Sequence, residues 1–292
     1  MSEHDGPAST DPADEVEALA AEAASLGEQE RWDEARSLLA DALERFPDAA
    51  PLLCWAGLAA QRLDEDGEAY ELFRRCLAQD PQDPFVLAAA GSGVAAYDDP
   101  AAESALRLAA LTAPDFAFAR AAYGAYLARE GLFADAVREL EAARDLEPGA
   151  PGARTELAIA YLLGGRGAQG IDELEEALSA SGGDSWVRGL LGMALVDAGR
   201  GEEGAEQLHA AAEERPEDVE VQLLAALAMA AQGWEDQAWQ ALARAEDMAA
   251  GADRELLGEV EERLEAGADA AERFLREDIG PSLLRERLLQ RA

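Results

Sequence analysis

Lysine and asparagine are missing altogether from these 292 residues, and cysteine, histidine and isoleucine are nearly so, at two, two and three. Each gap excludes something. The two cysteines, Cys54 and Cys76, are too few for a disulfide framework. They lack the neighbours of a metal pair and fall at apolar positions of a helical pattern, as buried thiols do. His4 and His209 have no histidine or cysteine partner at ligand spacing, so no metal site is indicated. Without lysine there is no phosphate-loop cation. The glycine-rich stretches GSG at 91–93 and GGRG at 164–167 follow no strand-like segment and read as contact sites and turns. No apolar run reaches the roughly 18 residues of a membrane span. The opening MSEHDGPASTDPADE is acidic rather than basic-then-apolar, which predicts a cytoplasmic protein without membrane insertion. Aromatics, at 6%, are scarce too, so the core must come from close helix contacts rather than bulky side chains.

What is present is acid, alanine and leucine. Sixty-one Asp and Glu face 24 basic residues, all arginine, for a formal charge of -37. Phosphate backbones and anionic bilayers would be repelled, which excludes nucleic acid and membrane surfaces as partners. A GC-rich genome accounts for the missing lysine. A saline cytoplasm accounts for the acid excess, since screening lengths fall to about 3 Å at molar salt. A basic partner is the third reading. Helix formers dominate and β-branched residues are rare, which predicts an all-α fold.

DEARSLLADALERFPDA (33–49) and GEAYELFRRCLAQDPQD (67–83) share few letters, yet small, large, small and Pro recur 34 residues apart. The first small site continues as Ala35, Ala69, Ala102, Ala136, Gly170, Gly204 and Ala238, and the large site as Leu39, Phe73, Leu106, Leu140, Leu174, Leu208 and Leu242. The second small site runs Ala42, Cys76, Ala109, Ala143, Ala177, Ala211 and Ala245. In the helix before each of these sits another small residue: Ala23, Gly57, Gly91, Gly124, Ala158, Gly192 and Ala226. Sites at i, i+4 and i+7 share one helix face, and small residues let helix axes approach closely. A helix pair of this kind cannot bury its face alone and must stack on its neighbours.

This pattern resembles the tetratricopeptide repeat family, whose unit is 34 residues. It predicts an all-α, α-α superhelical solenoid over residues 13–279, with units 16–49, 50–83, 84–116, 117–150, 151–184, 185–218 and 219–252 and a degenerate pair at 253–279. Residues 1–12 read as a disordered acidic tail. Residues 280–292, with Leu283, Leu284 and Leu288 on one side, read as a capping helix or a docking segment.

The resemblance implies a protein–protein interaction scaffold in which the first helix of each pair lines a concave groove. Helical spacing from the small sites then nominates Leu58, Phe85, Phe118, Ile159, Leu162, Trp186, Met193, Val196, Leu223 and Leu227 as groove residues, with Phe118, Ile159, Trp186 and Met193 the most exposed. An apolar groove with acidic flanks suits a partner's peptide or amphipathic helix carrying basic residues. Arg120, Arg154 and Arg188, one repeat apart, form either an anion-binding ladder or pairs with neighbouring acids such as Asp115, Asp184 and Glu217. No catalytic residue or cofactor is called for. The predicted function is a non-catalytic adaptor or assembly factor. The alternative is a structural subunit of a larger complex, or a self-assembling solenoid, using its terminal helices.

Overall fold

The computed structural model describes residues 11–251 and 253–290. Among them every regular element is a helix. In chain order these are α1 (Pro12–Glu28), α2 (Trp32–Arg45), α3 (Ala50–Arg62), α4 (Asp66–Leu77), α5 (Pro84–Ala95), α6 (Ala101–Thr112) and α7 (Ala117–Arg129). There follow α8 (Phe133–Leu146), α9 (Pro151–Leu163), α10 (Gly167–Ala180), α11 (Ser185–Asp197), α12 (Gly201–Glu214), α13 (Val219–Ala231) and α14 (Glu235–Met248). The chain ends in α15 (Asp253–Ala266), α16 (Ala268–Arg273), a π-helical segment (Phe274–Ile279) and α17 (Gly280–Gln290). Two compact units divide within α7, the first running to Tyr126 and the second starting at Leu127. Of the expected acidic tail, residues 1–10 lie outside the described residues. Asp11 and Pro12 are the N-cap and first residue of α1, with Asp11 accepting the Ala13 N–H at 3.0 Å.

In each unit a first helix packs against the second helix of its own pair and against the neighbouring pair, as α3 does with α2, α4 and α5, and α11 with α10 and α12. Every member of the small and large series of the second helices is buried. Between the helices of a pair the chain turns through one left-handed residue: Glu30, Asp64 and Asp98 in the first unit, glycine at 131, 165, 199 and 233 in the second. Glycine adopts that conformation without the Cβ penalty. Gly165→Ala is expected to lower stability by about 1 kcal/mol, read from the urea midpoint.

The small sites are where the large residues land. A methyl on Gly57 would lie 2.6 Å from Cε1 of Phe73, and one on Gly192 2.7 Å from Cγ of Leu208. Gly93 is tighter still, its added Cβ falling 2.1 Å from Cδ2 of Phe73. Gly93→Ala therefore forces the ring to move. The strain of overpacking, about 1–3 kcal/mol, exceeds the ~1 kcal/mol gained in helix propensity. A net loss of up to about 2 kcal/mol is expected in chemical denaturation, although the change is from a poor helix former to the best one.

The last segment breaks the pattern for a local reason. The two helices of a regular pair are joined by three residues, as at 198–200 and 232–234, but α15 and α16 are joined by Gly267 alone, at φ 97°. So short a link does not set α16 down as another second helix. The chain instead turns back, with α16 packing on α13 as well as α15, and α17 on α11 and α9. The π-helical turn before α17 needs Gly280, since a Cβ there would lie 2.0 Å from the Leu275 carbonyl oxygen.

Candidate interaction surface

In the first unit, α1, α3 and the start of α5 enclose an open groove of about 850 Å³. Its walls are apolar, from Val16, Ala20, Phe46, Pro51, Trp55, Phe85 and Val86, and its rim carries Glu17, Asp48 and Asp83. Trp55 and Phe85 are half-buried and stack with centroids 5.2 Å apart. Phe85 in turn meets Phe118 at 5.7 Å, and Phe118 meets Phe116 at 5.9 Å, so an aromatic ridge runs from α3 past α5 to α7. Phe118 is 42% exposed. Asp83 is the N-cap of α5, its Oδ1 accepting the N–H groups of Phe85 at 2.8 Å and Val86 at 3.1 Å. Pro84 at the first helical position fits the same start, since its missing N–H needs no partner there.

Of the residues nominated from the sequence, Leu58, Phe85 and Phe118 belong to this unit; Phe85 lines the groove, and Leu58 is half-buried against the core. Trp55 and Asp83, which the sequence reading did not single out, do line it. A usable signal was present: Trp55 follows Pro51 by one helical turn.

The second unit differs. The first-helix face that should hold Ile159, Met193, Val196, Leu223 and Leu227 is not open. All five are buried, at 3%, 5%, 6%, 1% and 0% exposure, so the exposure expected of Ile159 and Met193 is corrected. Trp186 and Leu162 are half-buried against the same core. The cause is the returning C-terminal segment. Leu275 sits with Val196 and Met193, and Leu284 and Leu288 join the same buried cluster. Arg276 lies beside Asp197 near the C-terminal end of α11, while Arg287 reaches the N-terminal end of α13. There Arg287, only 9% exposed, donates to Asp218 Oδ1 at 3.1 Å and Oδ2 at 3.3 Å and also to Glu220. The segment thus runs antiparallel to α13, from one end of its face to the other. Beyond the π-helical segment that precedes it, α17 packs on α11 and α9.

The arginine row is built into the fold. Arg120 donates to the Pro114 carbonyl at 2.5 Å and Arg154 to the Pro148 carbonyl at 3.3 Å, each tying a helix to the turn before it. Arg154 also pairs with Glu173 at 2.7 Å, a carboxylate shared with Arg144, and one repeat later Arg188 donates to Gln207 and pairs with Glu214. The partners are acids of the following second helix rather than Asp184 or Glu217. Nearby, burial and then the hydrogen bond to Glu141 at 2.7 Å push the Tyr161 phenol up to about 12. The fold holds the neutral phenol. Its contribution is complete below the ordinary value of 10.0 and is lost as pH rises through about 12. A tyrosine step near pH 12 is expected in an absorbance titration, and Tyr161→Phe should remove it.

Among the described residues no group of three His, Cys, Asp or Glu could hold a metal. His209 is half-buried on α12. Cys54 and Cys76 are both buried and free; the hydrogen bond of the Cys54 thiol to Cys76 and burial push it well up, away from the reactive thiolate.

Comparison with known proteins agrees with the helix-pair geometry. Two models described as tetratricopeptide repeat match, one over 20–84 and the other over 127–193 and 165–228, together more than half of the chain. No curated protein matches closely enough to count as a relative. Among solved structures, one similar chain is from the APC/C hetero-tetramer Cut9-Hcn1, at 17% identity and TM-score 0.68, covering 83% of this chain and 48% of that one. Another is a tetratricopeptide repeat protein from Parabacteroides merdae, at 14% identity and TM-score 0.57, covering 88% and 98%. A third is the thermophilic repeat protein TTC0263 of Thermus thermophilus, at 24% identity and TM-score 0.50, covering 62% and 98%. With its buried small-large-small series, its helix pairs and these matches, the chain belongs to the tetratricopeptide repeat family.

Proposed function

We propose that this protein is a non-catalytic interaction module that holds a segment of a partner protein against the first helices of its N-terminal unit. The observation that carries this reading is the groove of about 850 Å³ faced by Trp55, Phe85, Val16 and Pro51. Half-buried aromatic anchors in a concave apolar site supply most of the free energy in protein recognition. The arginine row does not serve as a ligand ladder in this reading, because Arg154 and Arg188 already meet carboxylates of their own chain. Nor does a bilayer enter it: among the described residues no helix is long and apolar enough to cross one. A cytoplasmic adaptor or assembly factor fits these features.

The test is crosslinked capture from native lysate by the wild type beside a Trp55→Ala/Phe85→Ala variant. A partner held in the groove is lost from the variant while its helicity by circular dichroism stays unchanged. The same partner caught equally by both would replace this reading with that of a structural subunit docked elsewhere.

A further inference from the structure

The second unit shows what kind of segment a first-helix face of this chain accepts, because it already holds one. In α17, Leu284 and Leu288 are buried and Leu283 half-buried, while Arg287 turns its guanidinium onto the carboxylate of Asp218. Asp218 is itself the N-cap of α13, and its Oδ1 accepts the Val221 N–H at 3.0 Å while receiving the arginine. One carboxylate therefore serves two purposes: it caps its helix and reads a cation on the docked helix.

Asp83 occupies the same register position four units earlier, capping α5 through Oδ1 as Asp218 caps α13. It stands on the rim of the open groove, exposed, and among the described residues its Oδ2 receives no hydrogen bond. Asp48 and Glu17 line the same groove. Two positions after the cap, where α13 has Glu220 as a second acceptor for Arg287, α5 has Phe85. A guanidinium at this place would exchange the second carboxylate for an aromatic face, a surface on which arginine stacks favourably. The apolar walls match the leucines of such a helix in character, and the rim is of the opposite sign to its arginine.

We infer that the ligand of the N-terminal groove is an amphipathic helix of a partner protein, with leucines on one side and an arginine one turn along that is read by the N-cap carboxylate of Asp83. This rests on the groove being the binding site. The occupant is not the α17 of a second copy, since that helix is already seated in its own chain with Arg287 almost fully buried. A tethered segment also meets its site at far higher effective concentration than a free one.

The experiment titrates full-length protein against a fluorescent synthetic helix with the sequence of residues 280–290, followed by anisotropy. The probe is expected to bind at micromolar concentration. Trp55→Ala and Asp83→Asn should each weaken it at least tenfold, and a probe carrying Arg287→Glu should bind at least fiftyfold more weakly. Asn caps helices as well as Asp does, so Asp83→Asn removes the charge without removing the cap. Equal binding to Asp83→Asn overturns the role of that carboxylate. Binding insensitive to Trp55→Ala overturns the site. Self-association of the unlabelled protein at micromolar concentration in sedimentation, abolished by Trp55→Ala, overturns the choice of a foreign partner. If no probe binds while Trp55→Ala/Phe85→Ala still loses its captured partner, the ligand chemistry is wrong and the groove reading stands. If that capture is also unaffected, the groove reading itself falls.

Discussion

Leu284→Asp together with Leu288→Asp releases α17 from the second unit and lowers the stability of that unit by about 3–6 kcal/mol, at about 1.5–3 kcal/mol for each buried leucine. Both side chains are buried in the cluster formed with Met193, Val196, Leu223 and Leu227. Burying a carboxylate there in place of a leucine is far more costly than leaving the helix in water. Release also strips Arg287 from Asp218 and Glu220, so the effect is concerted over the whole of α17. The uncovered face is broad and apolar, which predicts strong binding of a hydrophobic dye, proteolytic nicking near Gly280, and association at high protein concentration. Circular dichroism should lose only the signal of the last helix. An unchanged melting curve with no dye binding would mean that α17 contributes nothing to the unit on which it lies. Arg287→Glu should act in the same direction but less, because it sets three acids together while leaving the leucines in place.

Phe73→Ala is expected to cost about 3–5 kcal/mol, the range for emptying a buried aromatic site. Its ring is 1% exposed and lies between Gly57 on α3 and Gly93 on α5. Because both flanking residues lack side chains, neither can swing into the space, which places the loss toward the upper part of that range. The pairing can be checked without relying on one unfolding curve. Gly93→Ala, harmful in the wild type, should be neutral or favourable once Phe73 is Leu or Ala, since the added methyl then fills the vacated volume. A coupling of about 1–2 kcal/mol in that double-mutant cycle is the expected sign of direct contact. Simple additivity would show that the ring and the glycine do not constrain one another.

These two sites lie at opposite ends of what could be read from the sequence. The recurring small-large-small sites, the proline stops and the 34-residue interval were enough to determine an all-α fold of stacked helix pairs. The small and large letters that recur are places where two helices approach within the width of one side chain, as at Gly57 and Phe73. Local physics dictates those positions, so one repeat predicts the next.

Which first-helix faces are open could not be read that way. Phe85 and Phe118 in the first unit, and Met193, Val196 and Leu227 in the second, obey the same spacing and have the same apolar character. Spacing places a side chain on a face but is silent about what lies against that face. Three residues between the helices of a regular pair against the single Gly267 before α16, and Arg287 set to meet Asp218 from 69 positions away, send the C-terminal helix over the second unit. Fold class follows from contacts between neighbours in sequence. The occupied face and the open groove follow from a contact between distant segments, which only the tertiary structure decides.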